Sequence, residues 1–160
     1  MDTADATRLR QLLHTGRAAA LATLHRGEPA VSMVPYVLPA GDTTLLIHVS
    51  ALATHTRDMR EHPRVALLVM AEAGSAGVPA QALPRVSLQC DALPLERDSA
   101  AYGRAKRHYL DRFADAAPMF ELGDFSIFSL QPVAARLVAG FGRAHGLVGE
   151  PLAAWLRSTP

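Results

Sequence analysis

The stretch that decides the fold runs TTLLIHVSALATHTRDMREHPRVALLVM, from Thr43 to Met70. It reads as strand, polar turn, short helix and strand. Leu45-Leu46-Ile47-His48-Val49 is an apolar run of strand length, and Val65 to Met70 is a second, continuous enough to be buried on both faces. Between them, Ser50-Ala-Leu-Ala-Thr54-His55-Thr56-Arg57 places hydroxyls and two basic groups at the start of a helix that Pro63 stops. Unpaired backbone N–H groups and the helix dipole make such a start attractive to an anion. An ordinary cap by Ser50 or Thr54 would account for the hydroxyls. It would not account for His55 and Arg57, because cations are unfavourable at a helix N-terminus unless an anion is present. The turn is therefore expected to hold the phosphate of a cofactor.

Working outward, Thr7 to Thr15 carries Leu9, Leu12 and Leu13 at helical spacing, and Gly16 can end that helix. Arg17 to Leu24 is open between helix and strand. Val31 to Leu38 reads as a strand with Ser32, Val34 and Tyr36 on one face; Pro35 confines it to a sheet edge or a bulge. Pro39 to Asp42 is a hairpin turn into the deciding stretch. Downstream, Ala71 to Leu83, rich in Ala, Gly, Ser and Pro, reads as a flexible surface loop. Arg85 to Asp91 alternates as a strand with Arg85, Ser87 and Gln89 on its polar face and Cys90 on its apolar face. Leu95 to Phe113 is a helix with Tyr102, Ala105, Tyr109 and Phe113 near one stripe. Asp124 to Leu130 and Val133 to Ala139 read as two strands parted by Gln131-Pro132, and a short helix lies near Leu152 to Leu156. Six or seven strands in adjacent runs with three or four helices give an α+β class, with a mainly antiparallel sheet or barrel.

The 160 residues fit a single domain, 1–160, with a sizeable core. A formal net charge of +1 argues against nucleic acid. One cysteine precludes an internal disulfide and suits a reducing compartment. The polar N-terminus is unlike a signal peptide, and no apolar run reaches the ~20 residues that span a bilayer. A cytoplasmic protein with no membrane partner is expected. His48, His55 and His62 are spaced by seven, which on a helix separates His55 from His62 by about 10 Å, too far to share an ion. No metal site is expected. Gly140-Phe141-Gly142-Arg143 lacks the following helix of a dinucleotide loop; it reads as a plain turn or a backbone platform for a flat aromatic ligand.

Five pieces in the same order carry a resemblance across nearly the whole chain. They are Pro29 to Tyr36, Ser50 to Met59, His62 to Leu68, Arg85 to Leu88 and Gly140 to Ala144. The sequence resembles the pyridoxamine 5'-phosphate oxidase-like, FMN-binding split-barrel family, and within it the haem-utilisation branch. The resemblance implies a six-stranded split β-barrel with flanking helices that forms a homodimer with FMN sites at the interface. Ser32, Val34, Pro35 and Tyr36, then Ser50, Thr54, His55, Thr56 and Arg57, would hold the phosphate and ribityl chain. Arg85 could also reach the phosphate, and Phe141, Gly142 and Arg143 would approach the flavin ring. Thr54-His55 stands where the oxidase has an Arg-Lys pair. The oxidase's carboxy-terminal Trp and paired arginines are not evident, so another small molecule is the expected substrate. The function implied is that of an FMN-binding oxidoreductase, with a haem-binding or haem-utilisation protein on the same fold as the alternative. No side chain is assigned as catalytic.

Overall fold

The computed structural model describes residues 1–72 and 79–158. Strand β1 (Ala18–His25) and strand β2 (Glu28–Pro35) form a hairpin around Arg26 and Gly27, both at positive φ (54° and 83°). That backbone twist matches the twist of the strands it joins. The alanine-rich segment left open in the sequence is thus a strand. Its alternate residues Ala19, Leu21 and Thr23 are buried, which a pleated ribbon allows. Strand β2 starts earlier than the sequence indicates and ends at Pro35, so Tyr36 lies beyond it.

The deciding stretch folds as expected into β3 (Leu45–Ser50), the second helix and β4 (Arg64–Met70). With α1 (Thr3–Thr15) at the start of the chain, that second helix is α2 (Thr54–Glu61). A 3₁₀ turn (Ala80–Ala82) precedes β5 (Arg85–Pro94). Of the expected surface loop, residues 73–78 lie outside the described residues. Helix α3 (Ala100–Arg112) begins later than Leu95 because Ser99 caps it, its hydroxyl accepting the Tyr102 N–H at 3.1 Å. A 3₁₀ segment (Ala114–Glu121), not read from the sequence, leads into β6 (Phe125–Gly140); β7 (Arg143–Val148) and α4 (Gly149–Arg157) follow.

The strand order is β2-β1-β4-β5-β6-β3, with β7 paired to β6 off that path. Every pairing is antiparallel. Strand β2 is an edge, which agrees with Pro35. A bridge between Val37 and Leu46 brings the chain after β2 onto β3, so the six-strand path curls back on itself as a split barrel.

Two corrections concern the last strands. The expected pair of strands around Gln131-Pro132 is one strand of 16 residues. Cys90 pairs with Pro132 and Gln89 with Ala134, so one extra residue bulges out and the ladder continues past a proline that cannot donate. The Gly140 to Gly146 segment is not a plain turn: Phe141 and Gly142 form the bend, Gly142 at φ 72°, and β7 returns along β6.

The barrel core contains Leu21, Ile47, Leu67, Leu88, Phe128 and Leu137, and α1 adds Leu9 and Leu13 to it. Full burial of each such side chain contributes roughly 1.5–3 kcal/mol before entropic costs. A second cluster, on the outer side of β3, takes the α3 stripe of Tyr102, Ala105, Tyr109 and Phe113 as the sequence indicates. Cys90 is fully buried and its thiol is pushed up to about 12 by burial, in keeping with an inert core position. Among the described residues no helix is long and apolar enough to cross a membrane.

Candidate functional site

The turn between β3 and α2 differs in detail from either sequence expectation. The N-cap residue is Ala53, and no side chain caps the helix, so neither Ser50 nor Thr54 does so. The Ser50 hydroxyl donates to Asp124 Oδ2 at 2.5 Å and accepts the Leu52 N–H at 3.1 Å. Thr56 is buried and donates its hydroxyl to the Ser50 carbonyl at 2.7 Å. Two hydroxyls expected to face a phosphate are therefore used inside the protein, and Asp124 adds a carboxylate to the same turn. Thr54 and Arg57 are exposed, and His55 is half-buried. Burial lowers the His55 pKa, opposed by the charge of Asp58, which favours a neutral imidazole at pH 7.

Helix α2 is held to β1 by Asp58. Its carboxylate accepts from Thr23 Oγ1 at 2.8 Å and from His25 Nδ1 at 2.9 Å. Burial would raise the Asp58 pKa, but the hydrogen bonds from His25 and Thr23 outweigh it and hold the carboxyl below its ordinary range. No spacing rule pointed to this trio, whose members are 33 and 35 residues apart in sequence.

The remaining predicted residues are dispersed. Ser32 faces inward with a buried Oγ that has no hydrogen-bond partner. Val34 is buried beside it and Pro35 is exposed. Tyr36 is fully buried and donates its hydroxyl to the Leu13 carbonyl at 2.6 Å, so it fastens α1 to the barrel. Arg85 directs Nη1 to the carbonyls of Leu83 (3.0 Å) and Gln81 (3.3 Å). Phe141 is 86% exposed at the tip of the β6–β7 hairpin. Arg143 turns back to Asp5, with Nη1 2.8 Å from Oδ1.

These residues form two groups, not one. Ser50, Thr54, His55, Thr56 and Arg57 share the turn, and Ser50 pairs with Phe125, the first residue of β6. Phe141, Gly142 and Arg143 follow the last residue of that strand. The sixteen residues of β6 thus lie along the chain between the two groups.

The outward face of the sheet carries a feature the motifs did not single out. Val31 (74%) and Met33 (66%) stand exposed on β2, with Leu24 on β1 and Met70 on β4. Beside them lies a groove of about 330 Å³ lined by Ala66, Ser87, Gln89, Ala134 and Arg136 among others. The sequence signals for it were the polar row of Ser87 and Gln89 on their strand and a lone arginine inside the run VAARLVA.

Comparison with known proteins accords with this architecture. A family model described as pyridoxamine 5'-phosphate oxidase matches residues 6–139. Heme oxygenase HutZ of Vibrio cholerae is 29% identical over 130 residues, covering 79% of this chain and 71% of its own. The chloroplastic heme oxygenase HOZ of Arabidopsis thaliana is 31% identical over 137 residues, covering 84% of this chain and 39% of its own. The structure of a heme-binding protein from Mycobacterium smegmatis superposes with a TM-score of 0.83 at 28% identity, over 96% of this chain and 62% of that one. The chain thus spans less than two thirds of the length of the latter two. It belongs to the pyridoxamine 5'-phosphate oxidase-like split-barrel family, in the haem-utilisation branch.

Proposed function

We propose that this protein, as one 1–160 unit, binds haem between two copies of the chain and serves haem utilisation in the cytoplasm, in place of the FMN-dependent oxidation implied by the wider family. The observation that carries the reading is the set of three relatives above, each named for haem and each aligned with at least 79% of this chain. The local chemistry of the turn supports it. A dianionic phosphate there would meet Arg57 beside a half-buried, deprotonation-favouring His55 and the Asp124 carboxylate, while the nearby Arg97 is already engaged by the Leu122 and Phe125 carbonyls. With Ser50 and Thr56 engaged internally, FMN would have to displace existing hydrogen bonds before making its own.

A tetrapyrrole needs a flat apolar surface with a few polar groups at its margin. The outward sheet face supplies that combination, with Val31, Met33 and Leu24 beside small alanines and the polar groups of β5 and β6. Apolar residues so far exposed on an edge strand call for a cover. A second copy related by two-fold symmetry is the simplest one, because a two-fold sets the same patch against itself. The dimer would also bring the two separated groups of residues from different chains toward one another.

Titration of the purified protein with haemin and, separately, with FMN tests the reading. A saturable Soret change with no comparable flavin binding is the expected result. Saturable FMN binding with no haemin response would overturn it.

A further inference from the structure

We infer that Arg136, together with Ser87 and Gln89, forms a carboxylate-binding subsite on the outward face of the barrel. It would take a propionate of the bound tetrapyrrole. This rests on the haem reading above and adds to it the group that recognises the ligand's acidic edge.

The register brings the three side chains together. Arg136 on β6 pairs directly with Ser87 on β5, and Gln89 pairs with Ala134, so all three share the outward face of two adjacent strands. They line one groove with Ala66 and Ala134. A guanidinium, a hydroxyl and a carboxamide can all donate to an anion. No carboxylate lines the groove. On its other side Arg136 faces Gly146 of β7, so no bulky side chain shields it there.

The other arginines of this face are already engaged. Arg64 pairs with Asp91, Nε to Oδ1 at 2.8 Å, and Arg85 donates to the Leu83 carbonyl at 3.0 Å. Among the described residues Arg136 has no carboxylate within ion-pair distance. Covering the face with a second copy would take this guanidinium out of water, which is strongly unfavourable without a paired anion. The small side chains Ala66 and Ala134 let a flat ring approach the backbone beside the cation, where a flexible carboxylate on its rim would reach Arg136.

The test compares haemin with haemin dimethyl ester, both delivered from the same detergent stock, on wild-type protein, Arg136→Ala and Arg136→Lys. Wild type is expected to prefer haemin over the ester by roughly tenfold or more, the value of one charged hydrogen-bonded contact. Arg136→Ala should bind haemin as weakly as the ester and bind the ester as wild type does, while Arg136→Lys recovers part of the preference. An unchanged preference in Arg136→Ala would overturn the subsite alone. Loss of dimer in Arg136→Ala with the preference intact would also overturn it, by assigning the arginine to an acid of the second copy. No Soret response in wild type would overturn the haem reading, and the subsite with it.

Discussion

Asp58 accepts a hydrogen bond from His25 Nδ1 at 2.9 Å, and through it the helix that carries the β3–α2 turn is fastened to the first strand. The folded-state pKa of this carboxyl is depressed, so its contribution to stability is complete above the unfolded value and is lost as pH falls through the folded one. Asp58→Asn is expected to cost roughly 1–3 kcal/mol at pH 7, since it unbalances two buried hydrogen bonds. It should also flatten the loss of stability below about pH 4. Urea unfolding of both proteins across pH 3–7 measures both effects.

His48 titrates in a different window. Its ring stacks on Phe120 with centroids 3.7 Å apart and planes 4° from parallel, and its Nε2 is buried without a partner. Burial first, then the charges of Arg97 and Lys106, lower its pKa to about 4. The folded protein therefore favours the neutral ring. Stability should fall as pH drops below the unfolded value near ~6.5 and level off near the folded one. His48→Phe is expected to change stability at pH 7 by less than about 1.5 kcal/mol and to remove much of the slope between pH 6.5 and 4. Denaturant midpoints at four or five pH values would show it.

Tyr36 separates a packing role from a ligand role. The hydroxyl reaches only the Leu13 carbonyl, and the residue is fully buried. Tyr36→Phe should lower stability by about 1 kcal/mol through the stranded carbonyl, and leave haemin affinity within twofold. A large loss of affinity at unchanged stability would make it a ligand contact after all.

Met33 tests the proposed dimer. Its side chain is 66% exposed on the edge strand, directly opposite Ala20 of β1. Met33→Lys places a charge where two copies would meet, and should shift sedimentation toward the monomer while leaving the far-ultraviolet circular dichroism unchanged. A wild-type protein that sediments as a monomer at the highest accessible concentration would sink the two-copy arrangement.

The alternation of apolar and polar residues carried most of the architecture, because one side of each barrel strand is buried. It found β3, β4, β5 and the α3 stripe, and Pro35 placed β2 at an edge. It divided β6 at Pro132 because a bulge depends on the partner strand, and nothing local shows that Gln89 and Cys90 will straddle an extra residue. It missed β7 because Gly142 and Gly146 disguised a hairpin as loop.

The candidate site was less legible. Hydroxyls and cations at the start of α2 were visible, but Ser50 is claimed by Asp124, 74 residues away. Such long-range capture leaves no mark on spacing. Nor did the sequence show that Arg143 would be drawn to Asp5 across 138 residues, away from any ligand at the hairpin tip.

The length of β6 has a consequence for how the chain is made. That strand supplies the full ladder partner of β3, which until then has only the Val37 bridge. At ribosomal rates, the 74 residues separating Ser50 from Asp124 take on the order of ten seconds to appear. During that interval β3 is an apolar strand with an open edge, and β5 also lacks one neighbour. The nascent chain is thus most vulnerable to aggregation just before its last quarter emerges, and slower translation upstream of residue 125 should lower the soluble yield.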